Sequence, residues 1–256
     1  MSSDSLSLDD VAGLEYQKSV LYNALILPEK FPDTYASLVR RPEMVRERNV
    51  FLFHGPPGSG KTLLARAAAR ESGVPYREAQ ATQFINELAG KGAAAIRHLY
   101  NQEGPGLLFI DEVDAIARSR SQHRHYVTDD LLMQLLMAVD GPGSDDEKVT
   151  VLCTNRYDVL DNALLSRVPE DHQLHFPMPD QAQRYKIIEK HLSYHNHHID
   201  EYQQLVSFTE GFDGRQIEAL FKRARTNALL DDRPYLHLDD FFAKHAYKSF
   251  GEVHDD

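Results

Sequence analysis

Five short strand-like segments punctuate this chain: Val50–Phe53, Tyr76–Ala79, Leu107–Asp111, Val149–Thr154 and Gln173–Phe176. Each but the last is followed by a stretch compatible with a helix, and strands alternating with helices mark a parallel α/β sheet. The unbroken apolar run Leu107-Leu108-Phe109-Ile110 predicts a buried strand. After Pro177-Met178-Pro179-Asp180 the strand signals stop and the rest reads as helices. Asp213 and Gln216 form a capping-box pair, and Ile217, Leu220, Phe221, Ala224 and Ala228 follow at helical spacing. The pattern divides the chain into a loose Ser- and Asp-rich tail over 1–8, an α/β domain over 9–179 and a smaller helical domain over 180–256. Gly141–Lys148 reads as a polar surface loop.

The first strand leads into Gly55-Pro56-Pro57-Gly58-Ser59-Gly60-Lys61-Thr62 and then Leu63-Leu64-Ala65-Arg66-Ala67, a strand, a Gly-rich turn and a good helix former in the order that a phosphate-binding loop demands. Glycines let backbone N–H groups turn inward around phosphates, and the helix N-terminus adds partial positive charge. Lys61 supplies an ammonium for the β- and γ-phosphates, and the Thr62 hydroxyl is a hard oxygen ligand for Mg²⁺. Leu107–Ile110 ends in Asp111-Glu112. A carboxylate at such a strand tip can hold Mg²⁺ and the next can take a proton from attacking water, so Asp111 is the candidate metal residue and Glu112 the candidate base. Val151-Leu152-Cys153-Thr154 ends at Asn155, which is placed to bond the γ-phosphate or the water; the competing reading is a turn asparagine. The expected fold class is therefore α/β: a P-loop NTPase parallel sheet flanked by helices, followed by a small all-α domain.

Charge narrows the partners. Lys plus Arg total 28 against 39 Asp plus Glu, a formal net charge of -11, which disfavours duplex nucleic acid as the main partner. Cys153 is the single cysteine and lies in an apolar run, so a buried small hydrophobe is expected, and a reducing compartment fits best. No apolar stretch is long enough to cross a bilayer, and Met1-Ser2-Ser3-Asp4-Ser5 lacks the regions of a signal peptide. The expectation is a cytoplasmic protein.

Together these residues resemble the AAA+ ATPases, most closely the AAA clade of FtsH-type and proteasomal ATPases, over nearly the whole chain. Gly55–Thr62 is similar to Walker A, Leu107–Glu112 to Walker B, and Asp114 also matches. Asp10-Val11-Ala12-Gly13 resembles the segment whose backbone lines the adenine pocket, with Asp10 and Ala12 the candidate contacts. Pro57, Gly58, Ser59, Gly60, Lys61, Thr62 and Leu63 complete the nucleotide-binding set. Thr154-Asn155-Arg156 with Val159-Leu160-Asp161 resembles the sensor 1 region, and Gly211–Arg215 the start of the lid helix that carries sensor 2. The resemblance implies ATP with Mg²⁺, ATP hydrolysis, and a homo-oligomeric ring, usually a hexamer, acting on a protein client. The alternatives are an ATP-dependent switch or scaffold without threading and, more remotely, a nucleic-acid motor or loader.

Several positions depart from that pattern. In Gln83–Gly92, similar to the first pore loop, Leu88 stands where the family offers an aromatic. Asp140-Gly141-Pro142 stands where FtsH-type members carry Asp-Gly-Phe. The two finger arginines of the family fall on Ser166 and Pro169, which leaves Arg167 as the finger candidate against a surface salt bridge. Arg215 lies in a helix first turn, where the dipole disfavours a cation, and a phosphate-sensing role is weighed against exposure. Arg118, Arg120, His123, Arg124 and His125 form a basic stretch where the family has its second pore loop, readable as a contact for an acidic substrate or single-stranded nucleic acid or as a solvated loop. His195, His197 and His198 read as a polar turn without cysteine partners. The His-Glu-x-x-His of FtsH-type proteases is absent from the sequence, so proteolysis is not implied.

Overall fold

The computed structural model describes residues 6–38, 49–86, 91–101, 104, 106–118, 126–140 and 148–242. Five parallel strands form one sheet in the order β2-β3-β4-β1-β5, with β1 at Val50–His54, β2 at Tyr76–Gln80, β3 at Gly106–Asp111, β4 at Lys148–Thr154 and β5 at Gln173–His175. All five predicted strands form, within a residue or so of their expected ends.

Alternation along β1, β3 and β4 sends successive side chains to opposite faces, and both faces are covered. Val50, Leu52, Leu108, Ile110 and Leu152 pack with Phe84, Ile96, Leu131 and Leu135 from the helices Ala81–Asn86, Lys91–Tyr100 and Tyr126–Asp140. Phe51, Phe53, Phe109, Val151 and Cys153 face the helix Lys61–Ser72, whose buried Ala65, Ala67, Ala68 and Ala69 let its backbone come close to the aromatic layer. Leu21, Leu25 and Ile26, from the helix Glu15–Leu21 and the π-helical turn Tyr22–Ile26 that continues it, close this second core.

Leu8, expected within a loose tail over 1–8, is held in place. Leu8 is buried in that core, its N–H donates to the Glu71 carboxylate at 2.9 Å, and Ser7 and Asp10 form a capping box around the turn Leu8–Asp10. One buried leucine and one charge-assisted hydrogen bond outweigh the polar composition around them.

The chain splits into two compact units, Met1–Met178 and Pro179–Asp256. In the second, Ile188, Leu192, Leu205, Ile217, Leu220, Phe221, Ala224 and Phe241 form a separate core. The Asp213–Gln216 capping box forms as read, with Gln216 N–H on Asp213 at 2.7 Å and Asp213 N–H on Gln216 at 2.8 Å. An equivalent box at Asp180–Gln183 opens the helix Gln181–Ser193. Arg233 holds Asp240, while Asn227 and Arg223 donate to the Asp240 and Phe241 carbonyls and tie the short helix Asp239–Phe242 to Gly214–Leu230. The three histidines of the expected polar turn take part in this packing: His195 lies against Phe221, His198 stacks on Tyr235 at 4.2 Å, and His197 accepts from Ile199 N–H. Among the described residues no group of three or more His, Cys, Asp or Glu is arranged to hold a metal, and no helix is long and apolar enough to cross a membrane.

Candidate functional site

Parallel strands all deliver their C-terminal ends to one edge of the sheet, and the glycine loop with Lys61, the Asp111-Glu112 pair and Asn155 follow β1, β3 and β4 there. β1 ends at His54 and turns into the glycine loop, which takes left-handed backbone at Gly55, Gly58 and Gly60, with φ of 145°, 75° and 96°. At Gly55 the need for glycine is also steric: a β-carbon would lie 2.0 Å from the Phe176 carbonyl oxygen just past β5. Gly60 caps the helix Lys61–Ser72, and the Ser59 hydroxyl donates to the Pro56 carbonyl at 2.8 Å, closing the turn.

Lys61 is buried, and its ammonium donates to the carbonyls of Gly55 at 2.8 Å and Pro56 at 2.7 Å and to Asn155 Oδ1 at 2.9 Å. Asn155, just past β4 and exposed, is thus brought onto the loop lysine across 94 residues of sequence. Thr62 is half-buried in the first helical turn, and Leu63 beside it is exposed, as is Pro57 in the loop.

Asp111 ends β3, and its Oδ1 accepts the Glu112 N–H at 2.8 Å. Because Ile110 pairs with Leu152, Asp111 comes level with Cys153 on the neighbouring strand. Cys153 is fully buried, as expected; burial first, and then the Asp111 charge, push its thiol pKa up, so it stays protonated. Glu112 is exposed and holds a left-handed conformation, φ 55° and ψ 39°, which costs a non-glycine residue roughly 1–3 kcal/mol. Asp114 accepts from the Thr154 hydroxyl at 2.8 Å, and the same hydroxyl accepts the Arg156 N–H, so the turns after β3 and β4 are joined.

Asp10 and Ala12 are half-buried; the Asp10 carboxylate is bonded to Ser7, and Leu14 on the same segment sits where a β-carbon on Gly60 would meet it at 3.3 Å. Arg167 donates to Asp140 at 2.5 Å and to the Ala163 carbonyl at 2.6 Å. Arg215 belongs to the second unit, exposed in the first turn of Gly214–Leu230. Leu88, Gly141, Pro142, Arg120, His123, Arg124 and His125 lie outside the described residues; Arg118 is described, bridged to Leu160.

Four residues around this edge, His54, Tyr157, Gln173 and His175, lie outside every chemical motif of the sequence. His54 lies 4.4 Å from the Tyr157 ring and 5.1 Å from that of His175. Burial, helped by the charges of His175 and Lys61, lowers its pKa to about 4, so it adds no positive charge beside the loop at neutral pH. Tyr157 in turn donates to Gln173 at 2.7 Å. A histidine directly before the glycine loop was the available signal.

Known proteins of the same pattern are recognisable. Residues 51–177 match the family described as ATPase family associated with various cellular activities (AAA). The chain is 33% identical to a proteasome-activating nucleotidase of Methanopyrus kandleri over 247 residues, 93% of this chain and 55% of that protein. It is 34% identical to the ATP-dependent zinc metalloprotease FtsH of Mycoplasma pneumoniae over 249 residues, 94% of this chain and 34% of that protein. It is 33% identical to 26S proteasome regulatory subunit 6A of Saccharomyces cerevisiae over 240 residues, 91% of this chain and 54% of that protein. The chain thus spans about half the length of the relatives it matches, or less. The loop, the acidic strand tip and the asparagine all fall inside the matched segment, and the chain belongs to the AAA family of ATPases.

Proposed function

We propose that this chain binds and hydrolyses ATP as one subunit of a homo-oligomeric ring, hexameric by the family pattern, that remodels a protein client. The Lys61–Asn155 hydrogen bond carries the reading. A phosphate entering the loop meets an ammonium and an amide already drawn together, with the Asn155 Nδ2 group as a further donor. Glu112, exposed next to Asp111, is the group that takes the proton of the attacking water. Asn155 orients that water, Arg167 from a neighbouring subunit stabilises developing γ-phosphate charge, and Arg215 senses nucleotide from the helical unit. Asp10 and Ala12 line the base, and Pro57 to Leu63 hold the phosphates.

The donor set fits Mg²⁺: the Thr62 hydroxyl and Asp111 carboxylate are hard oxygen ligands, close to a loop that carries phosphate oxygens. Bound there, the ion supplies charge neutralisation on the transferred phosphoryl group.

Relatives named for proteasome activation and ATP-dependent proteolysis support a protein as the client. ATPase activity is expected to rise steeply with protein concentration as rings form, and an unfolded protein should stimulate it. Activity independent of concentration in a proven monomer removes the ring. Unchanged turnover with an unfolded protein favours a nucleotide switch, the reading that Leu88 in place of a pore aromatic also favours. Stimulation by single-stranded DNA instead favours a motor.

A further inference from the structure

The turn that carries Arg167 has a tether besides the Asp140 pair. Gln173, the first residue of β5, donates through its side-chain amide to the carbonyl of Val168 at 3.0 Å and, more weakly, to that of Leu165 at 3.4 Å. Its amide oxygen accepts from the Tyr157 hydroxyl at 2.7 Å. Tyr157 opens a 3-10 turn two residues after Asn155, and its ring leans on His54, the residue that leads into the glycine loop. A path of direct contacts therefore runs from the start of one subunit's phosphate loop to the backbone on both sides of its Arg167.

Glutamine suits this place. Its amide offers two N–H donors for two carbonyls and one acceptor for a hydroxyl. Glutamate would turn the donors into acceptors facing carbonyls, and leucine would offer neither. Resting on the reading of Arg167 as an arginine used by the adjacent subunit, we propose that Tyr157 and Gln173 are positioning residues for it. They form a strut that fixes where the Arg167 turn presents its guanidinium. The strut starts beside a subunit's own phosphate loop and ends at the group it lends to its neighbour.

A misplacement of about 1 Å can lower a rate on the order of 10²-fold. Gln173→Leu is therefore expected to lower kcat by between about 10- and 100-fold, with nucleotide Kd and ring assembly as in the wild type. Tyr157→Phe keeps the ring on His54 and removes only the hydroxyl, so it should act in the same sense but less; it carries the test alone if Gln173→Leu fails to fold. The decisive measurement mixes each variant with Lys61→Ala. In mixed rings a Gln173→Leu pocket can receive Arg167 from a Lys61→Ala neighbour whose strut is intact, so activity should partly return, as it should for Arg167→Ala mixed the same way. Return with Arg167→Ala but not with Gln173→Leu or Tyr157→Phe overturns the strut and leaves the arginine standing, as does an unchanged kcat in both strut variants. No return with Arg167→Ala overturns the arginine reading and the strut with it.

Discussion

The two compact units differ in how far along the chain their polar side chains reach. In the second, the capping pairs and the Arg233 cluster serve neighbours close in sequence, Asp180 with Gln183, Asp213 with Gln216, and Arg233 with Asp231 and Asp240, and the Asn227 and Arg223 side chains reach only 13 and 18 residues along. These pairs cap helix ends and lock a short helix in place. In the first unit, polar groups meet across longer stretches of chain: Lys61 with Asn155 and Thr154 with Asp114 at the strand ends, and Arg167 with Asp140 at the end of the helix Tyr126–Asp140. Backbone there is held at positive φ at Glu112, beside the site, and through the glycine loop, where glycine adopts it without steric cost; the second unit has Asp232 at positive φ. Local satisfaction stabilises a fold, whereas convergence with strain marks a site arranged for something that is not part of the chain.

Substitutions should separate the two uses, and Glu112→Gln should give the largest effect. It should lower turnover by about 10²–10⁴-fold, the usual worth of a positioned base, while nucleotide affinity persists; single-turnover hydrolysis and equilibrium binding read both. Wild-type turnover would break the assignment. Lys61→Ala removes a buried charge from the phosphates and should weaken ATP binding by about 10²-fold or more, taking roughly 2–5 kcal/mol for a buried charge partner; equal affinity in nucleotide titration would contradict it. Asn155→Ala should slow bound-state hydrolysis more than it weakens binding, because water is positioned chiefly in the transition state. Equal loss of affinity and kcat/KM with kcat unchanged would make it a ground-state ligand only. Asp180→Ala, on the other side of the comparison, should cost about 1 kcal/mol of stability through the lost cap, seen in denaturant unfolding, and leave turnover untouched. A fall in turnover without a fall in stability would erase the distinction between the units.

Legibility follows the same divide. The strands and the Asp213–Gln216 box were readable because their signals are local: apolar runs, a turn, a residue three positions on. The glycine loop and Asp111-Glu112 were readable because phosphate chemistry imposes a spacing on them. The Asp180–Gln183 box obeys a rule visible in the sequence and was passed over behind Pro177 and Pro179. The Asp140–Arg167 and Tyr157–Gln173 contacts carry no signal in sequence, since 27 and 16 residues separate the partners and only the fold brings them together. Leu8 was misread because polar neighbours masked one leucine whose burial depends on a helix some sixty residues away.

Gly55 has a bearing on how much a glycine in such a loop can reveal. Any residue with a β-carbon would drive it into the Phe176 carbonyl. In a saturation library selected for folding alone, position 55 should therefore return glycine even with no nucleotide in the selection. Gly60 differs: a β-carbon there would meet only the end of the Leu14 side chain, at a tight 3.3 Å that a leucine methyl can relieve, and the chief restriction on it is its backbone angle. Two glycines that look equivalent as letters thus carry different information, one about how β1 leaves the sheet beside β5, the other about the path of the loop around its guest.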